Sequence, residues 1–215
     1  MKIAIIGGTG FLGSSLVREA IQRGWEVTAI ARNADKIEDQ KVNRVSLDIN
    51  NTDELAGVLT GYDTVVSAFN AGWTNPNIYN DFIAGSKAIQ QAVKKAGVKR
   101  LIVIGGAGSL YVTENLQLID TPEFPAEYKP GASAARDYLN ILKEEKDLDW
   151  VFFSPAIEMN AAITTGRTGK YRLGKDAPVF DENHISRLSG EDVAVVISDE
   201  VENPRHHQER FTAAY

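Results

Sequence analysis

Short apolar runs alternate along the chain with longer stretches that have helical apolar spacing. The first run, 2–6, is rich in branched side chains and leads through a glycine-rich turn at 7–13 into a helical pattern over 14–23. Further strands are predicted at 26–31, 42–47, 63–69, 99–104 and 149–153, and further helices at 51–59, 78–96, 132–146 and 191–201. This alternation predicts a parallel sheet that is covered by helices on both faces.

Two stretches interrupt the alternation. Residues 110–131 contain Pro122, Pro125 and Pro130, which exclude a long helix, so we predict a loop of about twenty residues there. The second stretch is 157–188, in which residues 166–173 mix glycine, threonine and basic side chains and end in a short strand predicted at 171–173. After the last helix, a strand at the sheet edge is predicted over 210–212. The predicted class is α/β: one Rossmann-like domain over 1–215, a doubly wound parallel sheet with a small C-terminal substrate-side excursion. We expect the stretches at about 110–131 and 157–188 to cover its cleft.

The turn after the first strand has the spacing G-x-x-G-x-x-G. Gly7 allows a sharp turn, Gly10 allows a pyrophosphate to approach, and Gly13 allows the helix to pack closely. The free N–H groups of the first helical turn would face the phosphates. The alternative is a glycine turn without a ligand, but the position between an apolar strand and an amphipathic helix favours dinucleotide binding. The residues predicted to hold the pyrophosphate are Gly7, Thr9, Gly10, Phe11 and Leu12.

The type of cofactor is predicted from the tip of the second strand, where Arg32 stands and no acidic residue does. An acid at this tip binds the ribose 2′-hydroxyl, whereas an arginine accommodates a 2′-phosphate. We therefore predict NADP(H) over NAD(H), with a solvated loop arginine as the alternative and Asp35 close by in the sequence. Asp48 and Ile49, after the third strand, are predicted to touch the adenine; a strand-end cap is the alternative.

The carboxyl ends of the later strands lie on the cofactor side of such a sheet. The residues predicted there to line the ribose and nicotinamide are Ala68, Phe69, Asn70, Gly105, Ser154, Pro155 and Ala156. After the fourth strand, Trp73, Asn75 and Tyr79 could form a wall for a planar substrate, or could only seal the loop. Ser109 and Tyr111 follow the fifth strand and could donate hydrogen bonds to substrate or nicotinamide, or could be a turn cap and a packing ring.

The histidines and the composition restrict the remaining chemistry. His184 could supply a proton near neutral pH or could be structural. The pair His206–His207 lacks recognisable further ligands, so we predict a solvated pair and no metal site. A net charge of −6 without a basic block disfavours nucleic acid as a partner. The absence of cysteine excludes disulfides and cysteine nucleophiles and fits a reducing cytoplasm. We see neither a signal peptide nor a membrane span, and we expect a cytoplasmic protein.

Several of these motifs together resemble a known family. They are the glycine turn, Arg32, Asp48-Ile49, and Asp149-Trp150 leading into Ser154-Pro155-Ala156. The sequence is similar to the atypical short-chain dehydrogenase/reductases, and in particular to their NAD(P)H-binding, NmrA-like subgroup, with a likeness that spans 1–211. That subgroup includes flavin reductases and biliverdin-reductase-B-like enzymes, and its members are often labelled NAD-dependent epimerase/dehydratase.

One departure from the family pattern bears on the reaction. Many relatives use a Tyr-x-x-x-Lys pair as proton donor and pKa-lowering partner, together with a serine that corresponds to Ser109. Here Tyr128 is followed four residues later by Ala132, and Tyr138 by Leu142. The missing pair suits hydride transfer from NADPH to a small-molecule acceptor such as a flavin or similar planar ring, because the protein then mainly orients two rings. It also suits an NAD(P)-sensing regulator that binds a protein partner without catalysis. A third interpretation is a sugar epimerase or dehydratase with a displaced acid/base at Tyr111 or His184.

Overall fold

The computed structural model describes all residues from 1 to 215. The strands are Lys2–Ile6 (β1), Glu26–Ala31 (β2), Val42–Ser46 (β3), Thr64–Ser67 (β4), Arg100–Ile104 (β5), Tyr111–Thr113 (β6), Leu116–Gln117 (β7), Asp149–Ser154 (β8), Arg172–Gly174 (β9) and Glu209–Ala214 (β10). The α-helices are Phe11–Gln22 (α1), Thr52–Leu59 (α2), Ile78–Lys95 (α3), Lys129–Lys143 (α4) and Gly190–Glu202 (α5). The predicted order of strands and helices is therefore confirmed, with bounds that differ by a few residues.

Eight strands form one sheet in the order β3-β2-β1-β4-β5-β8-β10-β9. All neighbours are parallel except β9, which runs antiparallel to β10 at the outer edge. The direction of winding reverses between β1 and β4, and in such sheets the ligand crevice lies at the carboxyl ends of those strands. The predicted Rossmann-like, doubly wound sheet is confirmed.

Alternate residues of the central strands face two different helical layers, which is why the strands are apolar on both faces. In β1, Ile3 and Ile5 belong to the core that includes α1 and α5, whereas Ala4 and Ile6 belong to the core that includes α2, α3 and α4. This packing fixes the start of α1 directly behind the end of β1.

The last strand is not an edge strand, so that prediction is wrong. β10 lies between β8 and β9, with parallel pairing to the first and antiparallel pairing to the second. The outer position is taken by β9, because the short strand of the 157–188 stretch adds to the sheet beyond β10. Phe211 and Ala213 are consequently buried.

The stretch 110–131 is more regular than the predicted loop. It contains the β6–β7 hairpin and two short 3₁₀ helices, Leu118–Asp120 and Ala126–Tyr128. Helix α4 begins at Lys129 and not at 132, because Pro130 sits in its first turn, where a missing N–H removes no helical hydrogen bond.

Ser189–Asp192 and Asn51–Glu54 both have the spacing of a capping box, but only the first pair caps its helix. At α5 the Ser189 hydroxyl accepts from the Asp192 N–H at 3.0 Å. The buried Asp192 carboxylate also accepts the Thr168 N–H at 2.9 Å, which ties the second stretch to α5. At α2, Asn51 instead donates its side-chain amide to the Glu54 carboxylate at 2.6 Å and caps no backbone N–H, because the two side chains bond each other.

Candidate cofactor site

The glycine turn after β1 depends on contacts that only glycine permits at several of its positions. Gly7 has a left-handed backbone with φ 81°, and a Cβ there would lie 2.6 Å from the Ala68 carbonyl oxygen. A Cβ on Gly13 would lie 2.0 Å from the Gly7 carbonyl oxygen. Gly10 differs, because a Cβ there would have only that same oxygen within 4 Å, at 3.3 Å. Gly7 and Gly13 therefore shape the turn, and Gly10 leaves space beside it.

The N-terminus of α1 opens onto this turn without a cap. The Ser14 N–H donates to the Gly10 carbonyl oxygen at 2.9 Å, which begins the helical ladder. No side chain caps the helix, and no acidic residue lies in its first turn. The N–H groups of Phe11, Leu12 and Gly13 therefore have no acceptor within the helix. Together with the helix dipole they form a site suited to a phosphate.

A cleft of about 410 Å³ lies at the carboxyl ends of β1 to β4. Of the predicted cofactor-binding residues, nine line it: Gly7, Thr9, Gly10, Arg32, Asp48, Ile49, Ala68, Phe69 and Asn70. Asn75, predicted to contact the substrate, also lines it. The lining residues that sequence reasoning missed are Ile6, Ile30, Ala31, Leu47, Asn50, Ala71, Asp81 and Ala84. Most of them adjoin a predicted residue at a strand end, so extending each strand end by one residue would have found them; Asp81 and Ala84 come from α3.

A larger groove of about 620 Å³ lies on the surface of α3 and α4. It is lined by Lys87, Gln90, Gln91, Lys94, Lys95 and Ile141. Only one of these side chains is apolar, and no strand end contributes to the groove. We therefore take the smaller cleft beside the glycine turn as the candidate nucleotide site.

Arg32 and Asp48 contribute charges of opposite sign to the cleft wall. Arg32 directly follows β2, is exposed, and takes part in none of the side-chain hydrogen bonds or salt bridges of the molecule. Asp48 uses one carboxylate oxygen to accept the backbone N–H of Asn50 at 3.0 Å and its side-chain amide at 2.9 Å. Asp48 thus caps the strand end and lines the cleft at once, so the two alternatives for this residue are compatible.

The loop after β4 is held by asparagine side chains and Asp81. Asn70 accepts the Gly72 N–H at 2.7 Å, and Asn75 donates to Asp81 at 2.8 Å. Trp73 is 59% exposed and contacts the Tyr128 ring edge-on, with ring centroids 5.5 Å apart. The loop therefore presents an aromatic surface next to residues of the cleft wall.

Tyr79, predicted to contact the substrate, does not line the cleft. Its hydroxyl donates to the Asp137 carboxylate of α4 at 2.8 Å. This hydrogen bond raises the pKa of Tyr79 above its usual value. Tyr79 lies in the first turn of α3, and its hydrogen bond to Asp137 links this helix to α4.

Ser109 lies in a buried polar cluster and does not line the cleft. Its hydroxyl donates to the Gly106 carbonyl oxygen at 3.2 Å and lies 3.1 Å from the Ser154 hydroxyl. The guanidinium of Arg210 donates to both the carbonyl oxygen and the hydroxyl of Ser109. Ser109 is only 1% exposed, and its single hydroxyl proton is already engaged. The structure therefore does not favour Ser109 as a hydrogen-bond donor to a substrate.

Tyr111 and His184 also lie outside the cleft wall. The Tyr111 ring packs against the Arg210 guanidinium, 5.5 Å from its centroid, which is the packing role considered as the alternative. His184 is exposed, with φ 58°, in a turn that is held by the Asp181 carboxylate. The structure does not bring these two residues together or place either against the nucleotide cleft, so their proposed acid/base role stays a prediction.

Six predicted cofactor-binding residues are not part of the cleft wall: Phe11, Leu12, Gly105, Ser154, Pro155 and Ala156. The Phe11 ring packs against Gly190 of α5, so only the backbone N–H of Phe11 and Leu12 is available to a phosphate. Gly105 accommodates the Phe152 ring, since a Cβ there would lie 1.9 Å from it. Ser154 and Ala156 are buried. These positions lie at the correct ends of their strands, but packing accounts for their residue types.

Neither Tyr128 nor Tyr138 has a lysine four residues further along α4. Tyr138 is 1% exposed, and its hydroxyl donates to the Ser86 carbonyl oxygen at 3.2 Å. Burial raises the pKa of Tyr138 well above its usual value. Tyr128 is exposed and meets the Trp73 ring edge-on, and the helix position that a lysine would need is Ala132.

Comparison with known proteins identifies the family. A family model described as NAD(P)H-binding matches residues 7–204. The chain belongs to this family. The uncharacterised protein YwnB of Bacillus subtilis is 40% identical over 214 residues, covering 99% of this chain and 97% of that protein. A structure from Bacteroides thetaiotaomicron, provisionally described as an epimerase, is 46% identical with a TM-score of 0.91, covering 100% of this chain and 96% of that one. A structure from Streptococcus pneumoniae, provisionally described as an NADH-flavin reductase, is 36% identical with a TM-score of 0.86, covering 100% and 99%.

Membership in the NAD(P)H-binding family confirms the resemblance to the atypical short-chain dehydrogenase/reductases and the prediction of a nicotinamide cofactor. The two solved relatives carry different provisional activities on one fold, so the fold by itself does not decide the reaction. No cluster of three or more His, Cys, Asp or Glu side chains is arranged to hold a metal ion. None of the helices combines the length and the apolar character that crossing a bilayer requires.

Proposed function

We propose that the protein is an NADPH-dependent oxidoreductase that delivers a hydride to a flavin or a similar planar acceptor. The observation that supports this most is a cleft with the elements of a dinucleotide site and no protein acid or base of the tyrosine–lysine type beside it. The bound cofactor supplies the hydride from its nicotinamide ring. The residues of the chain then have to hold two rings face to face and exclude water.

The cleft wall suits NADPH in particular. The uncapped N-terminus of α1 would bind the pyrophosphate, and the open space at Gly10 would let it approach. Arg32 would pair with the 2′-phosphate, because it lines the cleft and engages no other group of the protein. Asp48 and Ile49 would flank the adenine from the end of β3.

Replacement of Arg32 tests the cofactor preference. We expect Arg32→Ala to weaken NADPH binding by about 10- to 100-fold and to leave NADH affinity within about threefold, because a charge-assisted hydrogen bond contributes about 1.5–3 kcal/mol. Calorimetric titration of both cofactors measures the two affinities. Arg44→Ala is the matched control, since Arg44 is an exposed arginine of β3 that donates to the Ile37 carbonyl oxygen outside the cleft wall. An equal loss for both cofactors would contradict the assignment of Arg32.

The acceptor is proposed to bind beside the loop after β4. Trp73 and Tyr128 expose rings that meet at 84°, and a flat heteroaromatic ring would stack on the free face of Trp73. Asn75 of the same loop lines the cleft and connects this surface with the nucleotide site. A flavin that receives a hydride gains two electrons and one proton from the nicotinamide and takes a second proton from water, so its reduction needs no protein acid.

Cofactor oxidation against a set of acceptors tests the reaction. We expect NADPH to be oxidised with FMN, riboflavin or a quinone as acceptor and not with nucleotide sugars. Loss of NADPH absorbance measures the rate, and reactions without protein correct for direct oxidation by free flavin. Tight NADPH binding without turnover on any acceptor would contradict the reductase and favour the NAD(P)-sensing regulator. That second candidate rests on the same missing acid/base pair.

Epimerase or dehydratase chemistry is less well supported. It needs a protein acid and base beside the sugar. Tyr138 is buried against Ser86, and neither Tyr111 nor His184 lines the cleft. Turnover of a nucleotide sugar in the acceptor series would reverse this assessment.

A further inference from the structure

Gly85 is a buried glycine within α3, and its surroundings explain why the position lacks a side chain. A Cβ there would lie 2.6 Å from both Cε1 and Cζ of Phe69 and 2.8 Å from Cδ1 of Ile49. Glycine weakens a helix interior relative to alanine, because it loses more conformational freedom on folding. Glycine therefore lowers the stability of α3 at a position where the side chains of Phe69 and Ile49 leave no room for a methyl group.

The side chains that press on Gly85 belong to the cleft wall. Phe69 follows β4 and Ile49 follows β3, and both line the cleft. Phe69 also stacks on Phe82 of α3, with ring centroids 5.9 Å apart and an angle of 18° between the planes. Both side chains thus have α3 behind them and the open cleft in front of them.

We propose that Gly85 is a positioning residue that sets the depth of the adenosine end of the cleft. The inference rests on the proposed cofactor site, in which the adenine lies against Ile49. A methyl group at position 85 would displace the ring of Phe69 and the end of Ile49. Because α3 lies behind both side chains and the cleft is open in front of them, the movement would narrow the cleft.

The expected effect differs from that of the other cleft residues. The phosphates are held by the α1 N-terminus and the 2′-phosphate by Arg32, and neither contacts Gly85. A narrower adenosine end would therefore weaken every ligand that carries an adenosine group, with or without the 2′-phosphate. The turnover of bound cofactor would not change, because the change lies away from the acceptor surface at Trp73.

Gly85→Ala is the test, with 2′,5′-ADP as a probe that keeps the adenosine and its phosphates but lacks the nicotinamide half. We expect the affinities for NADPH, NADH and 2′,5′-ADP to fall together by about tenfold, as overpacking of a close-fitting site predicts. The melting temperature should change little, because the helix preference of alanine over glycine offsets part of the cost of overpacking. The kcat with saturating NADPH should stay unchanged while KM rises. Gly57→Ala in α2 is the matched control, because Gly57 has no atom within 4 Å of an added Cβ. It should leave all three affinities unchanged.

A second variant identifies the atoms involved. Ile49→Val removes the Cδ1 atom that crowds position 85, so Gly85→Ala/Ile49→Val should recover part of the affinity relative to Ile49→Val alone. Unchanged affinities in folded Gly85→Ala would overturn the inference, and so would a melting temperature that falls in parallel with affinity, since that would indicate a packing role only. If Arg32→Ala still selectively weakens NADPH in that case, the proposed function stands. Failure of the unmodified protein to bind any of the three ligands would overturn both.

Discussion

Gly10→Val is expected to abolish binding of NADPH and NADH in a protein that remains folded. Gly10 precedes α1 with φ −77° and ψ 173°, an extended conformation that valine adopts readily. A Cβ there has one neighbour, the Gly7 carbonyl oxygen at 3.3 Å. The two further carbons of valine would fill the space through which a pyrophosphate reaches the α1 N-terminus. Loss of two charge-assisted hydrogen bonds, each about 1.5–3 kcal/mol, corresponds to an affinity loss of about 100-fold or more.

Titration with both cofactors, together with thermal unfolding, separates a blocked site from a damaged fold. Gly57→Val carries the same change on the exposed face of α2 and should bind both cofactors normally. Gly13→Val should behave differently, because a Cβ there would lie 2.0 Å from the Gly7 carbonyl oxygen and the turn itself would have to open. If Gly10→Val bound NADPH and NADH within about tenfold of the affinities of the unmodified protein, the phosphates would not bind at this turn.

The fold could be predicted closely from the sequence because its signals are local. Branched apolar runs, helical spacing and the glycine turn each lie within a single element or junction. The same glycines could be assigned separate roles, since positive φ at Gly7 and close packing at Gly13 follow from the geometry of a strand–turn–helix unit. The edge position of β10 was mispredicted because strand order depends on where β9 pairs, which is a long-range contact.

The candidate site was predictable only where it follows the strand ends. Asp81 and Ala84 of α3 also line the cleft, and Gly85 shapes it from behind, but helical spacing alone does not show which strand end a helix covers. Ser109 shows the opposite case, a residue at a strand end that was proposed for the site but does not line the cleft. Its hydroxyl is shared with Ser154 and Arg210, which lie 45 and 101 residues away in the sequence. Sequence position allowed either a free hydroxyl or a turn cap, and in the folded chain the hydroxyl is engaged.

The pair His206–His207 was predicted to be solvated, and for His206 this is wrong. Its ring stacks on Phe211, with centroids 4.2 Å apart, and its Nδ1 lies 2.8 Å from the Glu200 carboxylate. His207 is exposed, with its Nδ1 3.0 Å from the Asp149 carboxylate. Both histidines belong to a charged cluster that is centred on Arg100, at the amino ends of β5 and β8. The cleft lies at the other ends of the strands.

Arg100→Met is expected to lower the free energy of unfolding by about 3–5 kcal/mol, because the buried Glu200 carboxylate keeps its neighbours Arg205 and His206 but loses its guanidinium partner. Arg100 donates to Glu200 at 2.6 Å and also pairs with Asp149. The side chains of Arg100 and Glu200 are 9% and 4% exposed, so water cannot replace the lost partner. For a chain of this size the melting temperature should fall by about 10 °C. Urea unfolding followed by circular dichroism measures the change.

A double variant decides whether the loss comes from the unpaired charge or from packing. Glu200→Gln removes the charge but keeps a carbonyl oxygen for the N–H groups of Arg205 and His206, each of which donates to Glu200 at 3.0 Å. Arg100→Met/Glu200→Gln should therefore recover at least about 2 kcal/mol relative to Arg100→Met, because a buried ion pair costs desolvation that an uncharged pair avoids. NADPH affinity measured well below the melting temperature should be unchanged in both variants. The reason is that the cluster lies at the amino ends of the strands, whereas the cleft lies at their carboxyl ends. If Arg100→Met cost less than about 1 kcal/mol, the pair would behave as a solvated surface ion pair despite its burial.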